Sequence, residues 1–307
     1  MMRKFARWAF VCLCCCLFSC AKSEVPEKPE RETIKILALG NSFTQDALAY
    51  VPFLFERMNP TYNLHLELAC IGGGSLEDHL TYMREDKEYG CNVYWPGAGV
   101  WDGKPRRASE LLEQEWDLIL FNQRSTQATD YATYDETLPE LVAFVTEHQR
   151  NRSTLGWLIT HALPEKNHLT LFEQQCACVQ RVYQDYPFDV ILPCGTATEN
   201  ARQTSLNGIS DGKFLTCEDN WHLQDGLPCL TEAYAATATL FQWFDIKGSK
   251  LDPYFLEADF LVKRQIPGVN GTLIRGDMEE NLLAFRCALA AVKQPYKVSR
   301  VEQVRPF

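Results

Sequence analysis

Apolar and polar positions along this chain switch repeatedly between two periods. The first run, TIKILALG, is apolar almost without interruption and stops at Gly40. A run of that kind suits a parallel strand buried on both faces. ALAYVPFLFERM then carries apolar residues at helical spacing, and YNLHLELACIGG alternates Leu64, Leu66 and Leu68 before it ends in glycines. SLEDHLTYMRE reads as a helix, WDLILFNQ as a strand and TYDETLPELVAFVTEHQR as a long amphipathic helix. The same rhythm continues through strand STLGWLITHALP, helix LTLFEQQCACVQRVYQDY, strand DVILPCG and the alanine-rich helix LTEAYAATATLFQWF. Regular βα alternation predicts an α/β fold around a parallel sheet of about five strands. Ligands of such sheets bind beyond the carboxyl ends of the strands. Ser42, in GNSFTQDA, stands at the end of the first one.

The pattern also divides the chain. Residues 33–246 carry the alternation and form the expected domain. Residues 247–307 are punctuated by Gly and Pro up to about Gly276 and then give one more helix, DMEENLLAFRCALAAV. They are expected to be an appendage packed on the same domain. The segment YGCNVYWPGAGVWDGKPRRAS reads as a long Gly/Pro/Trp loop in which specificity would be sought; Tyr94, Trp95 and Trp101 in it, and Trp221 further along the chain, are aromatics able to stack on a ligand ring.

The amino-terminal stretch follows different rules. Arg3, Lys4 and Arg7 precede an apolar run from Trp8 to Ser19, which is too short to span a bilayer as a helix. It ends in LFSC, and this resembles a bacterial lipoprotein lipobox. The resemblance implies a signal peptide over residues 1–20, cleavage before Cys20, lipidation of Cys20 and a membrane anchor in the bacterial cell envelope, facing the periplasm or the surface. Residues 21–32, with two prolines and many charges, read as a linker.

Composition narrows the partners. The 307 residues include 30 basic and 40 acidic side chains, a formal net charge of -10, and no Lys/Arg cluster interleaved with aromatics, so nucleic acid is not an expected partner. Five of the 13 cysteines fall within the first twenty positions. The other eight, Cys70, Cys91, Cys176, Cys178, Cys194, Cys217, Cys229 and Cys287, show no zinc-ligand spacing and read mostly as small buried apolar residues.

Two candidates for chemistry remain. Ser42 is followed at the third position by Gln45, which makes it a fair helix-capping box as well as a nucleophile. Among the six histidines, His65, His79, His148, His161, His168 and His222, the last follows Asp219 by three residues. That spacing lets a carboxylate hold Nδ1–H and leaves Nε2 free to take a proton from a serine. Local turn hydrogen bonds would produce the same Asp-x-x-His pattern.

Taken together, LALGNSFTQDA at the first strand and DNWHLQDGLPCLTEAYAA before the last core helix resemble the first and last motif blocks of the SGNH (GDSL-type) hydrolases. QRSTQATDYATYDETLPELV and PCGTATENAR are similar to an uncharacterised branch of that superfamily among exported bacterial proteins. The resemblance implies a flavodoxin-like three-layer sandwich and a Ser42–His222–Asp219 catalytic unit. It also implies oxyanion donors from the second and third blocks. Gly73 in CIGGGSLEDH matches the second block. The usual Gly-x-Asn-Asp of the third is missing, and LFNQRST stands in its place, with Gln123 or next Asn122 as the donor. Some sugar O-acetylesterases of the superfamily carry a glutamine there. The implied activity is carboxylester hydrolysis, with O-acetylated glycan or another acylated small molecule as substrate and no metal or organic cofactor. Lipase and thioesterase are the enzymatic alternatives, and a glycan-binding surface lipoprotein with little or no catalysis is the non-enzymatic one.

Overall fold

The computed structural model describes residues 32–59, 61–208, 219–247 and 270–301. Cys20, the expected leader 1–20, nearly all of the expected linker 21–32, and Cys217 lie outside the described residues. Seven strands form the main sheet: β1 (Thr33–Gly40), β2 (Asn63–Cys70), β3 (Glu88–Tyr94), β4 (Asp102–Arg107), β5 (Leu118–Phe121), β6 (Thr154–Leu158) and β7 (Val190–Leu192). Their spatial order is β4-β3-β2-β1-β5-β6-β7. β2, β1, β5, β6 and β7 run parallel to one another, while β3 and β4 are antiparallel additions at one edge.

The edge pair corrects the expected long loop. Most of YGCNVYWPGAGVWDGKPRRAS is strand, and the sheet has seven strands instead of about five. β3 buries Tyr89, Cys91 and Val93 and leaves Glu88, Gly90 and Asn92 less covered, which is a half-buried strand's alternation. β4 is the outermost strand and tolerates Pro105 because a proline there interrupts no central ladder. Tyr94 and Trp101 are buried core residues, and Trp95 packs on the ring of His65 at 4.4 Å.

Helices cover both faces of the sheet. They are α1 (Ser42–Leu48), α2 (Val51–Met58), α3 (Leu76–Arg84), α4 (Ala108–Leu112), α5 (Ala132–Asp135), α6 (Leu138–His148), α7 (His168–Asp185), α8 (Cys194–Arg202), α9 (Leu227–Trp243) and α10 (Met278–Lys293). Because side chains alternate along β1, Ile34, Ile36 and Ala38 meet α1, α2, α8, α9 and α10, whereas Leu37 and Leu39 meet α3, α4, α6 and α7. α10 packs on α8 and α9, and a short parallel pair, β8 (Gln224–Gly226) with β9 (Asn270–Ile274), lies just before α9. No helix among the described residues is long and apolar enough to cross a membrane. Of the seven described cysteines six are buried and Cys70 is half-buried; Cys176 and Cys178 both enter the core behind α7.

The end of β1 is tightly built. The Gly40 carbonyl accepts hydrogen bonds from the Ile71 N–H (2.9 Å) and from Nε2 of buried His79 (3.0 Å). A Cβ at Gly40 would stand 2.0 Å from Thr44 Oγ1 and 2.5 Å from Asn122 Oδ1, so only glycine fits. Gly40→Ala should therefore cost about 1–3 kcal/mol of stability, visible as a lowered Tm in thermal unfolding; an unchanged Tm would mean the junction can relax.

A second prediction concerns pH. Burial drives the His79 imidazole down from its ordinary 6.5 to about 4. Between those values the unfolded chain binds a proton that the folded chain refuses, so stability falls as pH drops through this window. His79→Gln keeps an N–H donor but does not titrate. Between pH 7 and 4.5 it should lose about 2 kcal/mol less than the wild type, measured by urea unfolding at both pH values. Equal losses would assign the acid sensitivity to other groups.

Candidate active site

Helix α1 begins immediately after the strand, and Asn41, not Ser42, caps it. Asn41 Oδ1 accepts from the Phe43 N–H (3.1 Å), and the Thr44 hydroxyl oxygen accepts from the Asn41 N–H (3.2 Å). The capping box is thus Asn41–Thr44, and the Ser42–Gln45 alternative is not formed. Asn41 Nδ2 also donates to the Gly74 carbonyl (3.1 Å), which ties the strand end to the glycine loop. Ser42 is left as the first residue of the helix, lining a cleft, and its hydroxyl has no hydrogen-bond partner among the described residues.

His222 comes to the same cleft from the far end of the chain. It sits in a turn just before β8. Asp219 closes this turn on itself: Oδ1 accepts from the N–H groups of Trp221 (2.8 Å) and His222 (3.1 Å), and Oδ2 lies 2.6 Å from His222 Nδ1. Asn220 takes the left-handed φ of 58° that the turn demands, a conformation asparagine tolerates well. With Nδ1 directed at a carboxylate, the proton belongs on Nδ1 and Nε2 is the bare nitrogen. Partial burial works against the charge of Asp219, but the bonds from the His222 ring and from the two backbone N–H groups prevail and hold its carboxyl below the usual range.

Gly73 forms another wall of the cleft, with φ +61°. Its carbonyl accepts from Arg124 Nε, and Arg124 Nη2 reaches Asp78 Oδ2 at 2.7 Å. Burial opposes the charge of Asp78 too. The N–H and hydroxyl of Ser75, followed by the Arg124 guanidinium, nevertheless keep its carboxyl below the ordinary value.

Gln123 and Asn122 are placed differently from the expectation. Gln123 is buried, with Oε1 accepting from the N–H groups of Leu76 (3.2 Å) and Arg124 (2.9 Å) and Nε2 donating to the Thr133 hydroxyl (3.1 Å). Asn122 Oδ1 accepts from the Thr44 hydroxyl (2.7 Å), and its Nδ2 donates to the Gln123 carbonyl (3.2 Å). Neither side chain lines the cleft; both brace its floor. The lining after β5 is instead Arg124, Ser125 and Thr126, of which the last two had no signal beyond their place in a polar strand-end loop.

The cleft measures about 320 Å³ and is completed by Asn41, Phe43 and half-exposed Trp221. It opens beyond the carboxyl ends of β1 and β5. There the chain passes from β1 to opposite sides, to β2 on one and β5 on the other, which is where open α/β sheets leave a crevice. Residues 88–107 take no part in its walls, because the turn after β3 lies toward the opposite end of the sheet, where Tyr94 pairs with Leu66. No group of three His, Cys, Asp or Glu side chains among the described residues is arranged to hold a metal ion.

Comparison with known proteins gives the following. The fold is similar to the crystal structure of a DUF4886 family protein from Bacteroides uniformis ATCC 8492 at 1.50 Å resolution, with a TM-score of 0.66, 23% identity, and coverage of 88% of this chain and 98% of that one. A gut microbial diltiazem-metabolizing enzyme overlaps with a TM-score of 0.41 and 13% identity, over 70% of this chain and 47% of its own, which is too remote to bear on function. No curated protein matches. A family model described as a domain of unknown function, DUF4886, matches residues 35–255, and the chain belongs to that family.

Proposed function

We propose that the protein is a serine-dependent carboxylester hydrolase of the SGNH type. The observation that carries this is the meeting of Ser42, relieved of capping duty, with an Asp219-backed His222 in one cleft. The order of the parallel strands, with the second outside the first and the rest following on the other side, supports the flavodoxin-like arrangement that this superfamily shares.

The reaction runs in two halves. Ser42 Oγ attacks the ester carbonyl carbon as its proton passes to His222 Nε2. Asp219 keeps the imidazole oriented and stabilises its cation. The N–H groups of Ser42 and Gly73 take the developing oxyanion, a role that Gln123 is not placed to share. His222 returns the proton to the departing alcohol oxygen. Water, losing a proton to His222, then cleaves the acyl-enzyme, and Ser42 regains its hydrogen.

Two features favour a short acyl group on a sugar. A cleft of about 320 Å³ holds an acetyl group and one ring more readily than a long hydrocarbon chain. Trp221, 44% exposed and adjacent in sequence to His222, offers a flat face for that ring. The protein would act in the cell envelope, anchored through Cys20.

Ser42→Ala and His222→Ala should each abolish nearly all hydrolysis of p-nitrophenyl acetate, and the double variant should be scarcely worse than either, since parts of one unit are not additive. Asp219→Ala should cost less. A fluorophosphonate should label wild type at Ser42 and leave Ser42→Ala unlabelled. Activity retained in folded Ser42→Ala would rule out Ser42 as the nucleophile, and a wild type that neither hydrolyses the ester nor takes the label would return the site to a glycan-binding role without chemistry. For the anchor, Cys20→Ala should lose both fatty-acid labelling and membrane association; a variant that still labels refutes the lipobox.

A further inference from the structure

Asp219 orients the His222 ring, but all of its hydrogen bonds stay inside the turn. They do not fix the turn relative to Ser42. Two other side chains, both fully buried, do so from the core. Asp46 Oδ2 accepts from the Leu223 N–H at 3.0 Å. His161 Nε2 meets the Trp221 carbonyl at 2.9 Å and, facing a carbonyl, must carry the proton. These contacts fall on the residues immediately before and after His222.

We infer that Asp46 and His161 are positioning residues, a two-point grip on the backbone either side of His222 that sets where its imidazole stands with respect to Ser42. The inference rests on the esterase proposal. Asp46 lies one helical turn beyond Ser42 on α1, so one rigid element carries both the nucleophile and half of the grip. His161 follows β6, and its ring stacks on Phe43 at 4.1 Å with 19° between planes. Phe43 is the neighbour of Ser42 and meets the His222 ring edge-on at 5.8 Å. Both halves of the grip are thereby referenced to the helix that bears Ser42.

The cluster continues inward. His161 Nδ1 lies 3.4 Å from Oε1 of buried Glu232, and that oxygen accepts from the Thr198 hydroxyl (2.7 Å). Burial pushes the Asp46 carboxyl up to about 8 against the pull of His161, with Glu232 and Asp219 adding to the rise.

The test separates the grip from general stability. His161→Phe keeps the stacked ring and removes the donor; Asp46→Leu keeps the forked shape, with more bulk, and removes the acceptor; Asp46→Asn keeps both the size and an acceptor oxygen. On p-nitrophenyl acetate, the first two should lower kcat about 10–100-fold with KM within about twofold, as expected for a misplaced catalytic group, while Asp46→Asn retains most of kcat. In a His222→Ala background His161→Phe should have no further effect. Wild-type kcat in folded His161→Phe or Asp46→Leu overturns the inference, and so does a change confined to KM; either variant decides if the other fails to fold. A readout free of turnover is the ¹⁵N-histidine spectrum, where wild type should give one sharp His222 signal set and either variant multiple or broadened ones. If wild type hydrolyses no ester and Ser42 resists labelling, the esterase proposal fails on its own terms. That spectrum then still judges the grip, and an unaltered His222 signal refutes it.

Discussion

The site depends on how the first strand ends. At Gly40 the backbone must stop hydrogen bonding as a strand, start a helix two residues later, and let two side chains press against it. Thr44 makes this possible by serving twice: its oxygen accepts the Asn41 N–H, and its hydrogen goes to Asn122 on the neighbouring strand end. The missing Cβ of Gly40 supplies the space. Asn41 completes the knot by capping the helix with one atom and holding the glycine loop with another. The side chains of Asn41, Thr44 and Asn122 are thus all engaged, whereas the Ser42 hydroxyl stays without a protein partner among the described residues. A helix that used Ser42 as its own cap would have bound that oxygen inward.

Much of the fold was legible because the parallel strands are buried on both faces. TIKILALG has no polar side to confuse its period, and α2, α6 and α7 beside the sheet are amphipathic. The edge strands were hidden for the opposite reason. Only alternate residues of β3 are covered, Gly90 interrupts them, and β4 carries Gly103, Pro105 and three basic side chains, a composition that imitates a loop. What defines β4 is its ladder to β3, a contact that local sequence does not record.

The site divided along a similar line. Residue types at strand ends could be read, and so could the short-range Asp219–His222 pair, because three residues separate its members. Directions could not. Gln123 stands where a donor was expected, but the Leu76 N–H, 47 positions away, takes one end of its amide and Thr133 the other. Asn41 and Ser42 are adjacent and both suited to capping; only the approach of Gly74 and Asn122 decides between them. Asp46 and His161 gave no signal at all, since their partners lie 177 and 60 positions along the chain.

The buried cysteines have a use of a different kind. Burial raises the thiols of Cys176 and Cys287 to about 12 and that of Cys194 well above its ordinary value. Thiols in that state hardly react with alkylating reagents while they remain covered. Each becomes reactive only when its own element opens: Cys176 with α7, Cys194 with α8 and Cys287 with α10. The helical layers thus carry built-in gauges of local unfolding, and the sequence in which they take up a reagent would rank which part of the molecule loosens first.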